Sequence, residues 1–403
     1  MPIINSDKKY YLYSDLHTTE LIEVAESKRT KGYGGRTLKF RDFSELPVYY
    51  LEFNSAESLK KFKLCSFINS SILRKIQNKE IFLVLNNSYE SFHDVVESIY
   101  NNIVIDQKIP ESQIILCSES SDIISEVNRC SKKYGRDEIK IEWLRQGEFE
   151  IVRSYKSTLG KLNEYKLRTL AIKHYDRKFL CLNRRWRPHR ASLIALLQSL
   201  NLLDKGYISL GDTGDSNNWS TILDEIITLS KNNQFIHNCF IANTDKILNT
   251  PPLYVDTDDL KTNHGGLEFE TIEFYKNTYF SVVTETNFYA NVGYLSNTAG
   301  RFLSEKVFKP IACRHPFIVV SVPNFLDRVK ELGYKTFTPF INESYDRILD
   351  DNERLHAIVQ EIDRLCNLNN QQLNDFLIGV RDIVDYNHNI LINKKIFHNK
   401  LYE

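Results

Sequence analysis

Four arginines and one histidine are crowded into a single stretch, RRWRPHR, at residues 184–190. An apolar run precedes this stretch and a helical pattern follows it, which predicts a turn between a strand and a helix. The free N–H groups of a helix start, together with guanidinium groups, can bind phosphate at such a turn. The alternatives are a solvated basic turn and, for His189, a structural cap. We favour an anion site with four candidate ligands: Arg184, Arg185, Arg187 and Arg190.

A second candidate site begins with serine, glutamate and lysine in the stretch RFLSEKVFKPIAC, at residues 301–313. We expect Ser304 to cap a helix, and a carboxylate at Glu305 is stabilised in the first turn. Capping does not explain Lys306, because a lysine in a first turn is mildly unfavourable unless an anion lies nearby. Glu285 ends an upstream apolar run. The sequence therefore predicts that a second carboxylate faces the same site.

A third acidic pattern is Asp256-Thr257-Asp258, within the stretch YVDTDDL. An apolar run that ends in Asp-x-Asp can hold a divalent cation and, with it, a nucleotide diphosphate. Here the pattern lies in a segment without clear periodicity, and a solvated acidic loop is the favoured interpretation. We therefore expect no metal ion at Asp256 and Asp258, and no cofactor.

Alternating apolar and amphipathic runs predict the elements that position these residues. One strand-helix series runs from IFLVLN at 81–86 to IKIEWL at 139–144, and another from KFLCLN at 178–183 to a short strand, YKTF, at 334–337. Residues from 351 onward show a helical pattern. This alternation is typical of open, mostly parallel sheets, in which ligand sites gather at the carboxyl ends of the strands.

Length and composition limit the classes of protein that need to be considered. The chain has 403 residues, which favours two domains, and its 52 basic and 52 acidic residues leave no formal net charge. A neutral total argues against sequence-independent binding of nucleic acid. Seven cysteines without a CxxC pair indicate buried thiols. The N-terminal residues lack the layout of a signal peptide and no apolar run is long enough to span a membrane, so we expect a cytoplasmic protein.

The segment YFSVVTETNF, followed by FLSEKVFKPIACRHPFIVV, resembles the donor-binding motif of the alpha-1,3-fucosyltransferases. It is also similar to a group of viral and bacterial glycosyltransferase-like sequences, a similarity that continues through LGYKTF and NESYD to residue 346. The fucosyltransferase pattern departs in two ways: ETN replaces Glu-Asn-Ser, and more residues separate Glu285 from Glu305. The resemblance covers residues 170–350 and implies a nucleotide-sugar-dependent enzyme of GT-B fold.

The expected fold class is therefore α/β, with two Rossmann-like domains facing a cleft (GT-B type) and C-terminal helices. We expect residues 1–165 to form an N-terminal domain on the acceptor side, residues 178–350 a C-terminal domain that binds the donor, and residues 351–403 a helical segment.

The resemblance also assigns roles to residues of the two candidate sites. Glu285 matches the glutamate at the strand end, Phe302 the aromatic position and Ser304 the hydroxyl position. Glu305 would hold the ribose of the donor and Lys306 its phosphates. One of the four arginines in the turn would match the family's phosphate-binding arginine, and the sequence does not say which one.

An inverting transfer also needs a base that deprotonates the acceptor hydroxyl. Candidates follow predicted strands of the N-terminal half, at most one is expected to act, and the alternative for each is an ordinary surface or capping residue. The candidates are Asp15, His17, Glu90, His93 and Asp94.

The sequence thus predicts a glycosyltransferase that moves a sugar from a nucleotide-sugar donor to an acceptor hydroxyl, without a metal and with inversion. The acceptor could be a glycan, a protein or a modified nucleobase. One alternative is a retaining or a DNA-base glycosyltransferase, for which the same donor site would serve. Another is a non-catalytic protein that binds a nucleotide or a sugar.

Overall fold

The computed structural model of the protein describes residues 11–12, 22–23, 48–52, 70–86, 95–120, 123–143, 147–148, 151–152, 154–155, 175, 177–183, 187–210, 234, 237–238, 241–242, 269–289 and 301–393. The chain divides into two compact units: Met1–Gln146 with Lys395–Glu403, and Gly147–Lys394. This division falls just before the segment 150–177 that the sequence suggests as the connection. Most of that segment lies outside the described residues, so the predicted domain ranges remain predictions.

Unit 1 contains a four-stranded parallel sheet in the order β3-β4-β5-β6 and a two-stranded antiparallel ribbon, β1-β2. Its strands are β1 Tyr11–Leu12, β2 Ile22–Glu23, β3 Val48–Glu52, β4 Phe82–Asn86, β5 Ile114–Ser118 and β6 Lys140–Trp143. Its helices are α1 Ser70–Gln77, α2 Val95–Ile99, which continues as a π-helix over Tyr100–Ile105, and α3 Ile123–Tyr134. Continuous apolar strands such as IILCS, buried along their whole length, are typical of a parallel sheet covered on both faces.

Unit 2 contains a second four-stranded parallel sheet, in the order β10-β9-β7-β8. Its strands are β7 Phe179–Asn183, β8 Gly206–Leu210, β9 Phe280–Thr284 and β10 Phe317–Val320. Its helices are α4 Pro188–Ser199, α5 Phe269–Lys276, α6 Glu305–Ala312, α7 Phe325–Glu331, α8 Asp351–Cys366 and α9 Asn370–Asn393. The predicted fold class is thus confirmed: a mixed α/β protein with parallel sheets and C-terminal helices.

The strand order of unit 2 reverses at β7. The chain runs from β7 to β8 on one side, and then adds β9 and β10 on the other side of β7. Crossovers between parallel strands are right-handed. The connection that follows β7 therefore passes over one face of the sheet, and the connection that follows β9 passes over the other face, because the two run toward opposite edges. In sheets of this topology, ligands bind outside the carboxyl ends of two such strands, which here are β7 and β9.

One predicted strand is wrong: YKTF, at residues 334–337, forms no strand. Two of its N–H groups are bound by side chains instead: the N–H of Lys335 donates to Asn387 Oδ1 at 2.8 Å and the N–H of Phe337 to Glu343 Oε1 at 2.6 Å. Groups bound in this way cannot join a strand ladder. The segment therefore serves as a connection that α9 holds in place.

Two further expectations concern thiols and membranes. The described cysteines (Cys117, Cys130, Cys181, Cys313 and Cys366) are all buried thiols that form no disulfide, as predicted, while Cys65 and Cys239 lie outside the described residues. Within the part of the chain that the structure describes, no helix combines the length and apolar character needed to cross a membrane.

Candidate functional site

Two buried polar side chains join the carboxyl ends of β7 and β9. The hydroxyl of Thr284 donates a hydrogen bond to Asn183 Oδ1 at 2.5 Å, and the N–H of Asn183 donates to Ser209 Oγ at 3.0 Å. Asn183 has no exposed surface and Thr284 is 2% exposed. The pair fixes two strand ends at the point where the strand order reverses. The only feature of the sequence that indicated this pair is that Asn183 and Thr284 are polar residues at the ends of apolar runs.

Two residues at the start of α4 point toward the end of β9. Ring nitrogen Nε2 of His189 lies 3.1 Å from the carbonyl oxygen of Glu285, and a guanidinium nitrogen of Arg190 donates to the carbonyl of Thr284 at 3.3 Å. Both side chains are buried, whereas Arg187, at the N-cap position, is exposed. Of the described arginines of the turn, Arg187 is thus the one that solvent reaches. Arg184 and Arg185 lie outside the described residues.

Burial and neighbouring charge set the protonation of this helix start. Burial lowers the pKa of His189 well below its ordinary value, and the positive charges of Arg190 and Arg187 lower it further. The imidazole is therefore neutral at pH 7, and because a carbonyl oxygen can only accept, Nε2 carries the proton. Burial, followed by Arg187, also lowers the pKa of Arg190 to about 10, which still leaves Arg190 charged.

Ser304 connects Glu285 to the start of α6. Its hydroxyl donates to Glu285 Oε2 at 2.6 Å, while its oxygen accepts from the N–H of Lys306 at 3.2 Å and from the Lys306 ammonium at 3.0 Å. The predicted cap is thus confirmed. The Lys306 ammonium also pairs with Glu305 Oε1 at 3.2 Å. Glu285, Ser304, Glu305 and Lys306, which the sequence grouped together, are therefore brought together by the fold.

The two carboxyl groups of this cluster have opposite electrostatic environments. Glu285 is 1% exposed, and its Oε1 has no hydrogen-bond partner among the described residues. Burial raises the pKa of Glu285, against the opposing effects of Lys306 and Ser304. Burial would also raise the pKa of Glu305, but the charges of Lys306 and Lys309 outweigh it, so that this pKa lies below its ordinary value. Environments that separate two carboxyl groups in this way are characteristic of functional sites.

A glycine that the sequence did not single out lies against the start of α6. A Cβ atom at Gly147 would lie 2.8 Å from the Glu305 nitrogen and 2.9 Å from the carbonyl carbon of Ser304. Backbone is therefore packed on backbone, and no other residue fits without a shift. The segment that opens unit 2 thus sets the position of the first turn of α6.

Several predicted residues have no described position. The candidate bases Asp15, His17, Glu90, His93 and Asp94, and the acidic pair Asp256 and Asp258, all lie outside the described residues. Their predicted roles remain predictions.

Within the described ranges, one group of side chains has the spacing of metal ligands: Glu97, Glu126 and Cys130, in unit 1. Arg129 pairs with Glu97 at 2.9 Å and with Glu126 at 2.5 Å, and Lys133 also pairs with Glu97. Burial raises the pKa of the Cys130 thiol to about 12, so it is not a thiolate at neutral pH. We interpret Glu97 and Glu126 as members of an ion-pair network with Arg129 and Lys133, and Cys130 as a buried thiol beside it.

No family model and no curated protein matches the chain. Among solved structures, the chain is similar to one from E. coli described as trehalose-6-phosphate bound with UDP-2-fluoro glucose, at 10% identity and a TM-score of 0.38, over 88% of this chain and 73% of that one. It is also similar to an alpha,alpha-trehalose-phosphate synthase (UDP-forming) from Burkholderia vietnamiensis, at 9% identity and a TM-score of 0.39, over 88% and 70%. Likeness at this level assigns neither a family nor an activity.

Proposed function

We propose that the protein is a glycosyltransferase of the GT-B type that transfers a sugar from a nucleotide-sugar donor to an acceptor hydroxyl. The observation that carries the proposal is the cluster at the start of α6. There a buried glutamate, with one oxygen lacking a described partner, lies beside a capped helix start that also holds a carboxylate and an ammonium. The cluster includes the residue that follows β9, next to the reversal of strand order.

The cluster suits the diphosphate end of a nucleotide-sugar. Lys306 and the helix start would bind the phosphates, and Glu305, whose pKa is lowered, would accept hydrogen bonds from the ribose hydroxyls. Exposed Arg187 would add a second cation, with Arg184 or Arg185 as further candidates. When the glycosidic bond to the leaving diphosphate breaks, negative charge develops there, and fixed cations and helix N–H groups stabilise it without a metal.

For the sugar itself, we propose direct displacement with inversion. One of Asp15, His17, Glu90, His93 and Asp94 would deprotonate the acceptor hydroxyl. The donor sugar and the acceptor class, whether glycan, protein or modified nucleobase, are matters for experiment.

The proposal is tested by titrating the intact chain with UDP, GDP, ADP and CMP, using thermal shift and calorimetry. We expect one of these nucleotides to bind and to raise the melting temperature. We also expect slow hydrolysis of the matching nucleotide-sugar in the presence of EDTA. Binding without hydrolysis or transfer would identify a nucleotide-binding module instead. The absence of any binding would remove the transferase interpretation.

Glu285→Gln is expected to stabilise the fold relative to wild type as the pH rises. The pKa of Glu285 is raised above 4.5 in the fold, so its stabilising contribution is fully present below pH 4.5 and is lost as the pH rises through the folded pKa. Glutamine cannot ionise and does not have this dependence. Denaturant unfolding between pH 4 and pH 8 measures the difference. If Glu285 contacts the donor, the same variant binds the nucleotide-sugar about tenfold more weakly.

The matched control is Glu361→Gln. Glu361 is also a buried glutamate of unit 2, but it accepts from the N–H of Asn342 at 2.9 Å and forms an ion pair with Arg364 at 2.6 Å. This substitution should destabilise the protein throughout the same pH range, because it removes a bonded carboxylate. A Glu285→Gln variant that loses stability in the same way would contradict the interpretation of Glu285 as a functional carboxyl whose ionisation is opposed by burial.

A further inference from the structure

Arg354, in the first turn of α8, is a fully buried arginine that donates mainly to main-chain oxygens. Its side chain is 1% exposed, and it donates to the carbonyls of Ser321 and Ile348, both at 3.0 Å, and to the carbonyl of Phe288. It also pairs with Asp351. Burial of a guanidinium costs free energy unless its N–H groups are bonded, and an apolar side chain would fill the same space without that cost. Because an apolar residue would serve for packing alone, we look for the role of Arg354 in the groups to which it donates.

Two of these carbonyls belong to loops on the same side of the sheet as the candidate site. Ser321 directly follows β10, and Phe288 lies four residues beyond the end of β9. Both loops leave the carboxyl ends of their strands, where Glu285 also lies. The guanidinium thus ties together two loops at the functional edge of the sheet, and it anchors both to the start of α8.

A stack of planar groups extends from Arg354 to His189, whose ring contacts the carbonyl of Glu285. The guanidinium carbon lies 4.5 Å from the ring centroid of Phe288. The Phe288 and His189 rings lie 5.3 Å apart and within 13° of parallel. His189 then binds the carbonyl of Glu285 at 3.1 Å. Movement of Arg354 would therefore be passed on to the main chain that carries Glu285.

We propose that Arg354 is a positioning residue for the candidate site, which acts through Phe288 and His189 to fix the main chain at Glu285. The expected effect of Arg354 on nucleotide affinity rests on the proposed function. The expected effect of Arg354 on His189 is independent of that function and can be measured without any ligand.

The experiment compares Arg354→Met, Arg354→Lys and a control, Arg364→Met, in the intact chain. Arg364 lies on the same helix, is 47% exposed and pairs with Glu361. The readouts are the NMR titration of the His189 ring, assigned with a His189→Gln variant, and calorimetric affinity for UDP and GDP. Among the described residues, the charged groups that lower the pKa of His189 are Arg190 of α4, Arg187 at the N-cap of α4 and Arg354 of α8.

In Arg354→Met we expect the pKa of His189 to rise, because Phe288 is no longer held against the His189 ring and the ring becomes less buried, and nucleotide affinity to fall about tenfold or more. Arg354→Lys keeps the positive charge but not the planar fork, so the pKa of His189 should still rise in part and affinity should be restored only in part. Arg364→Met should leave both quantities as in wild type.

An unchanged His189 titration in folded Arg354→Met would overturn the inference. A change that Arg354→Lys abolishes completely would also overturn it, because that change would report only the missing charge. If wild type binds no nucleotide, the proposed function fails, and the His189 titration alone then decides the role of Arg354. If Arg354→Met does not fold, Phe288→Leu interrupts the same stack and takes its place in both measurements. An unchanged His189 in Phe288→Leu would then overturn the inference.

Discussion

Replacement of Lys306 by methionine is expected to weaken nucleoside diphosphate binding by about 10- to 100-fold, the contribution of a charge-assisted hydrogen bond. The Lys306 ammonium lies 3.0 Å from Ser304 Oγ and 3.2 Å from Glu305, at the first turn of α6. A cation at this end of a helix opposes the helix dipole, so its position is favourable when an anion binds beside it. Methionine keeps most of the length of the side chain and removes the charge together with its N–H donors. Calorimetric titration with UDP and GDP measures the change.

The control for this prediction is Lys330→Met. Lys330 is a half-exposed lysine of α7 whose ammonium lies 3.9 Å from Asp327. This variant should bind the nucleotide as wild type does. Lys306→Met should also show a weaker dependence of affinity on salt, because one ionic contact is missing. Equal affinities for wild type and Lys306→Met would remove Lys306 from the phosphate site.

Alanine at Gly147 is expected to weaken nucleotide binding about 100-fold, although Gly147 has no functional group. Its Cβ would lie 2.8 Å from the Glu305 nitrogen and 3.2 Å from the Leu303 oxygen, distances that force main chain away from main chain. The first turn of α6 would have to move, and with it Ser304, Glu305 and Lys306. Overpacking of this kind costs about 1–3 kcal/mol in stability. A displacement near 1 Å costs on the order of 100-fold in function.

Gly206→Ala is the control for this prediction, because it should lower stability without moving the candidate site. At Gly206 a Cβ would meet the ring of Phe179 at 2.5 Å, at the start of β8 and therefore at the opposite end of the strand from the candidate site. Both variants should melt at lower temperatures than wild type, and only Gly147→Ala should lose nucleotide affinity. Equal affinities in the two folded variants would show that the position of α6 does not control binding.

Local patterns in the sequence predicted most of the described strands and helices of this protein, although the strand expected at 334–337 does not form. Apolar runs such as FLVLN and IILCS form buried parallel strands because covered sheets exclude water from both faces of a strand. Ser304 caps α6 because a serine oxygen accepts the free N–H groups of a helix start. The grouping of Glu285 with Ser304, Glu305 and Lys306 was also predicted, from the residues and from the resemblance of their motif.

Only the tertiary structure decided how these elements meet. The order β10-β9-β7-β8 arises from pairing between strands that are far apart in the chain, and no local pattern encodes it. The contact between Asn183 and Thr284 spans 101 residues. The sequence offered Arg190 as a phosphate ligand, but burial and the carbonyls at the end of β9 direct it inward. The roles of Gly147 and Arg354 also depend on the tertiary structure. Close packing at Gly147 and the buried hydrogen bonds of Arg354 involve residues that are distant in the sequence and become neighbours only in the folded chain.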